Sequence, residues 1–139
     1  MNVLKQKIEA LSGQEYMSAD QVAVFREALI EEKRRLLQSS QLSKSEGVAA
    51  FGEHLADPAD KSMRETETEL RSALEQQRSV RIKQIDAAFI AIRNDEYGFC
   101  KECGDEIGLA RLVNNPATLM DVSCSTLDEI KTKQMTGAY

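Results

Sequence analysis

Leu4, Ile8 and Leu11 recur at helical spacing and stop at Ser12-Gly13, which predicts a short amphipathic helix that packs on a globular base. Ser18-Ala19-Asp20-Gln21 then has the form of a capping box. The Ser18 hydroxyl would accept a backbone N–H of the first turn, Gln21 would reach back, and a long helix would start there. Val22, Phe25, Leu29 and Leu36 keep one apolar face along it, while Glu31, Glu32, Lys33, Arg34 and Arg35 solvate the rest. From Gln38 to Ala50 the pattern weakens, and Gly47 and Gly52 each cost about 1 kcal/mol of helix propensity relative to Ala. This helix is expected to fray toward its far end.

A second start signal stands at Asp57-Pro58-Ala59-Asp60. Asp57 can cap, Pro58 is preorganised for a first helical position, and Asp60 lies at the positive end of the helix dipole. Without Gly or Pro the helix can run to about Asn94, with Leu70 and Leu74 starting its seam and Ile82, Ile85, Phe89 and Ile92 finishing it; polar Gln77 and Arg81 stand between. Joined near Gly52 to Ala56, the two helices make an antiparallel hairpin with arms of roughly 45 to 55 Å and Asp57 and Asp60 at its tip.

After Asn94 the character changes to Asp95-Glu96-Tyr97-Gly98-Phe99 and then to cysteine. A last short helix is expected from Thr126 through Leu127, Ile130 and Gln134 to Gly137, with Ser125 as its cap. The expected organisation is mainly α. Residues 1–32 supply the N-terminal part of a small globular base, 33–94 form the coiled-coil hairpin with its tip near 52–62, and 95–139 complete the base with a zinc-finger-like knuckle and a C-terminal helix.

Composition narrows the chemistry. Aromatic residues are 5% of the 139, charged residues are 29% and there is no Trp, which suits long solvated helices better than a large core. A net charge of −5 gives no general attraction for phosphates, so direct sequence-specific DNA binding is not expected. The chain holds neither an apolar run of membrane-spanning length nor a signal-peptide core, so a cytoplasmic monomer without membrane contact is expected. No paired nucleophile and base or Gly-rich phosphate loop suggests an enzyme.

The three cysteines fall in one segment, as C-x2-C-x17-D-x2-C, made by Cys100, Cys103, Asp121 and Cys124. Two thiolates separated by two residues converge on one ion, and Asp121 stands where a four-cysteine ribbon would have its third sulfur. Four readings are open: zinc held by three thiolates and Asp121, zinc held by three thiolates and water, a metal-free knuckle, or a Cys100/Cys103 redox pair. In all but the last, the site is a structural staple for a small base. His54, the one histidine, lies far away in sequence and is read as solvated.

Several segments in one order resemble the DksA/TraR family, from Tyr16 to Gly137. They are Tyr16-Met17, Asp57-Pro58-Ala59-Asp60, Tyr97-Gly98-Phe99-Cys100, Cys103-Gly104-Asp105-Glu106-Ile107-Gly108, Arg111-Leu112, Pro116 and Glu129-Ile130-Lys131-Thr132-Lys133-Gln134-Met135. The resemblance implies a regulator that enters the secondary channel of bacterial RNA polymerase with its coiled coil and alters open-complex stability at promoters. In the family the tip reads D-x-x-D-x-A; Asp57 and Asp60 match its acids and Ser62 replaces its Ala. The basic positions that bind ppGpp in DksA-type proteins correspond to neutral Gln84, Asn115 and Ser125, so little or no ppGpp synergy is expected. Two alternatives accompany this reading: a diverged paralogue competing for the channel, and a thiol or metal redox sensor.

Overall fold

The computed structural model describes residues 2–50 and 58–136, with side chains for 3–40 and 61–134. Among the described residues the regular secondary structure is all helical, apart from one isolated bridge between Phe99 and Glu106. The helices are α1 (Asn2–Ala10), α2 (Ala19–Ala50), α3 (Pro58–Arg93), α4 (Leu109–Asn114) and α5 (Val122–Thr136). Pro58 opens α3 as its preset φ favours, and α2 continues through Gly47 to Ala50. The chain divides into two compact units, one of Met1–Leu29 with Gln84–Tyr139 and the other of Ile30–Lys83.

The first unit holds the core. Ile8, Phe25, Leu29, Ile85, Ala88, Tyr97, Leu112 and Ala117 are buried there, and α1 packs against α4. Of the capping box only half forms: Ser18 Oγ accepts the Gln21 N–H at 3.3 Å. The Gln21 side chain is fully buried and donates instead to the Leu11 carbonyl at 2.8 Å, tying the end of the α1 segment to α2. The Ser18 N–H to which Gln21 would reach back is already bonded to the Glu15 carbonyl at 3.0 Å, and the buried Gln21 amide N–H finds its partner on the loop instead. Val22, the expected core residue, is half-buried beside it.

The end of α3 is a Schellman turn. The Glu96 N–H bonds the Ala91 carbonyl at 2.8 Å and the Asp95 N–H bonds the Ile92 carbonyl at 3.2 Å, with Asp95 at φ 58 where glycine is usual. The exposed Asp95→Gly substitution is therefore expected to raise stability by about 0.5–1 kcal/mol in thermal unfolding, by removing left-handed strain.

In the second unit α2 and α3 run antiparallel. Arg81 forks onto Glu32, Nε to Oε1 at 2.7 Å and Nη2 to Oε2 at 3.0 Å, while Ser40 Oγ donates to Glu75 at 2.9 Å. Moving forward along α2 thus moves backward along α3. Here the expected seam needs correction. Leu70 and Leu74 are exposed, at 60% and 40%, and the half-buried positions of α3 in this unit are Arg64, Arg71, Glu75, Arg78, Arg81 and Ile82. Leu74 is about three full turns from Ile85 at 3.6 residues per turn, so it would share its face in a straight helix. Burial instead follows the alternating three and four steps of a 3.5-residue repeat from Ile85 through Ile82, Arg78, Glu75 and Arg71. Glu32 likewise leaves the expected solvated run and joins the seam, whereas Glu31 and Arg34 pair along the α2 surface.

Candidate metal centre

The segment after α3 is held from below. Tyr97 is buried, donates its hydroxyl to the Pro116 carbonyl at 2.6 Å, and lies 5.8 Å from the Phe25 ring. Burial pushes its phenol well above the ordinary range, which keeps it a donor. Gly98 follows at φ 90, and a Cβ there would run into the Met17 side chain, so glycine is required on two counts.

From Gly98 the chain makes a narrow ribbon. Ile107 N–H bonds the Gly98 carbonyl at 2.9 Å and Cys100 N–H bonds the Asp105 carbonyl at 2.8 Å. The Gly104 N–H closes back on the Cys100 carbonyl at 2.9 Å, with Gly104 at φ 78. This tight reversal puts Cys100 and Cys103 on one side, the first buried and the second exposed.

The other two donors arrive on the start of α5. Lys101 N–H bonds the Leu119 carbonyl at 2.8 Å and Arg111 Nε bonds the Met120 carbonyl at 3.0 Å, fixing the approach. Asp121, rather than Ser125, caps the last helix: its Oδ1 accepts the Cys124 N–H at 2.7 Å. Ser125 is already helical, its N–H bonded to the Asp121 carbonyl at 3.0 Å. A carboxylate at the positive end of a helix outcompetes a hydroxyl one turn later, and the helix starts four residues earlier than expected.

The second oxygen of Asp121, Oδ2, accepts from the Cys103 thiol at 3.1 Å. One donor atom from each of Cys100, Cys103, Asp121 and Cys124 lies within 4.8 Å of all the others. Tetrahedral zinc with metal–sulfur bonds of about 2.3 Å needs ligand separations of about 3.8 Å, so a small contraction closes the site. The donor set of three sulfurs and one oxygen fits zinc, and Asp121 can ligate through Oδ2 while Oδ1 keeps its cap.

Electrostatics differentiate the thiols. Burial pushes Cys100 up, but the backbone N–H groups of Asp121, Cys103 and Glu102, with the Cys103 side chain, outweigh it and bring the thiol down to about 7. At Cys103 the Asp105 backbone N–H pulls down, while Asp121, burial and Cys100 together push the thiol up. Cys124 is pushed far up, first by Cys103 and then by burial, Cys100 and Asp121. The Cys124 N–H, the Cys103 thiol and Arg111 hold the Asp121 carboxyl below its ordinary value.

The remaining sequence-derived candidates are not among these four donors. Asp57 and His54 lie outside the described residues, Asp60 is within α3 without a described side chain, and Ser62 is exposed on α3. Gln84 stands on α3, Asn115 in the turn after α4, where its Oδ1 accepts the Ala117 N–H at 3.3 Å, and Ser125 in α5. Sequence reasoning missed the Asp121 cap, although Asp is among the residues preferred at a helix N-cap. It also left Tyr16 without a role beyond the family motif. Its hydroxyl donates to the Gly98 carbonyl and accepts the Gly108 N–H.

Residues 95–124 match the model of the prokaryotic dksA/traR C4-type zinc finger. The RNA polymerase-binding transcription factor DksA of Escherichia coli K12 is 31% identical over 125 residues, covering 90% of this chain and 82% of that protein. The protein of the same name from Haemophilus influenzae is 32% identical, covering 89% and 85% respectively. Transcription factor DksA2 from Pseudomonas aeruginosa has a solved structure that superimposes with a TM-score of 0.77 at 25% identity, covering 90% of this chain and 97% of that one. A mainly helical chain with a zinc-finger knuckle defines the class. The chain belongs to the DksA/TraR family.

Proposed function

We propose that this protein is a non-enzymatic regulator of transcription that binds bacterial RNA polymerase. It enters the secondary channel with the α2–α3 hairpin as a cytoplasmic monomer and changes open-complex stability at promoters. The observation that carries this reading is the likeness, along 90% of the chain, to relatives named RNA polymerase-binding transcription factor DksA. A net charge of −5 agrees with a protein partner rather than free nucleic acid. Among the described residues no helix is long and apolar enough to cross a membrane.

Within this reading Asp57, Asp60 and Ser62 form the contacting tip, and Asp60 acts on polymerase while Asp57 also caps α3. Cys100, Cys103, Cys124 and Asp121 hold a structural zinc ion, which would cross-link the ribbon to the start of α5 and supply no reaction chemistry. Gln84, Asn115 and Ser125 bring no positive charge to an alarmone, so ppGpp adds little to the effect.

The test is transcription in vitro from a ribosomal RNA promoter. Asp60→Asn is expected to keep polymerase affinity within about threefold, because charge complementarity sets specificity and on-rate more than raw affinity, and to lose the effect on transcription. Added ppGpp is expected to change the wild-type effect less than twofold. An unaltered transcriptional effect in the Asp57/Asp60 double substitution would overturn the tip assignment, and strong ppGpp potentiation would overturn the alarmone reading.

A further inference from the structure

Tyr16 lies far from the cysteines in sequence yet touches both roots of the ribbon that carries two of them. Its hydroxyl donates to the Gly98 carbonyl at 2.5 Å and accepts the Gly108 N–H at 2.9 Å. Gly98 stands two residues before Cys100 and Gly108 five after Cys103, so the phenol bridges the ribbon where it opens. Above this point the ribbon has its own rungs, Ile107 to Gly98 and Cys100 to Asp105. At the opening it has two glycines, at φ 90 and φ 101, with no side chains to pack and a wide choice of backbone conformation. Two neighbours reinforce the phenol: the Phe99 ring meets Tyr16 edge to face at 5.6 Å and 88°, and Met17, itself at φ 54, fills the space over Gly98.

We propose that Tyr16 is a positioning residue for the metal knuckle: its hydroxyl closes the open end of the ribbon and holds Cys100 and Cys103 at ion-binding separation. The inference rests on the reading of Cys100, Cys103, Cys124 and Asp121 as zinc ligands. Its physical basis is preorganisation. Cys103 is exposed and the ribbon is short, so freeing its two ends lets the thiols separate, and zinc must then reorder them on binding. Groups outside the ligand shell that orient ligands typically contribute about 10–100-fold in metal affinity.

The test uses the full chain and measures zinc affinity by competition with a chromogenic chelator. Tyr16→Phe keeps the ring and removes only the bridging hydroxyl; it is expected to weaken zinc binding about tenfold. Ile85→Val, which trims a fully buried core residue of the same unit, is the control and is expected to leave affinity within about twofold while lowering thermal stability. Coupling is reciprocal, so zinc should also slow hydrogen exchange at the Gly108 amide of the wild type, a readout that needs no variant to fold. Zinc binding by the wild type with unchanged affinity in Tyr16→Phe, or a Gly108 amide insensitive to zinc, overturns this inference alone. A wild type that takes up no zinc overturns the ligand assignment and this inference together.

Discussion

Asp121→Asn is expected to weaken zinc binding by at least about tenfold while leaving α5 intact, and Asp121→Cys is expected to do the reverse. The structure gives the carboxylate two tasks on two different oxygens. Oδ1 accepts the Cys124 N–H at 2.7 Å and caps α5, and Oδ2 faces Cys103 at 3.1 Å, on the side of the metal centre. Asparagine is as good a cap as aspartate but brings no negative charge to an ion. Cysteine restores the four-thiolate set that zinc favours but lacks the oxygen that satisfies the first turn. Chelator competition reads the first task, and hydrogen exchange at the Cys124 amide reads the second. Should Asp121→Asn bind zinc as tightly as the wild type, Asp121 is a cap only and water completes the ligand set.

The same geometry sets the pH dependence, with opposite partners in the two states. Without metal, the lowered Asp121 carboxyl contributes stability that is present above its unfolded value of 3.8 and lost as pH falls through the lower folded value. With metal, the thiols must give up their protons, and two of the three, Cys103 and Cys124, are pushed up in the metal-free knuckle. Zinc affinity therefore falls as pH is lowered, well before Asp121 itself is protonated.

What was legible in the sequence follows from how local each signal is. Pro58 at the head of α3, the break after Arg93 and the convergence of Cys100, Cys103, Asp121 and Cys124 depend on spacing within a few residues or on a recognisable ligand pattern. The misplaced cap at Ser125 was also a local question, but Asp121, read only as a possible ligand, accepts the Cys124 N–H one turn earlier, where the dipole favours a carboxylate. The Tyr16 bridge was not legible because its partners are 82 and 92 residues away and both are backbone atoms of glycines. Gln21 was misassigned for a related reason: its partner is the Leu11 carbonyl, on a loop whose path the sequence does not reveal.

The leucine seam shows a different failure, measured best against the largest expected loss of stability, which lies in the core of the first unit. Phe25→Ala is expected to cost about 3–5 kcal/mol, because Phe25 is fully buried and its removal leaves a cavity that the surrounding helices cannot wholly close. Part of that loss, about 0.5–1.5 kcal/mol, is the ring contact with Tyr97, so Phe25→Leu should retain most of the packing and lose chiefly this component. Leu70→Ala, at a position 60% exposed, is expected to change stability by no more than about 0.5 kcal/mol. Counting apolar residues would make Leu70 a seam residue; following the 3.5-residue step from Ile85 places Arg71 there instead, half-buried. Urea unfolding followed by tyrosine fluorescence and by circular dichroism separates the two positions through the shift in midpoint at constant slope. A Leu70→Ala loss as large as that of Phe25→Ala would restore the leucine seam. A small one means that the α2–α3 pairing of the second unit relies on directed polar contacts, such as the Arg81 fork on Glu32, more than on a hydrophobic stripe.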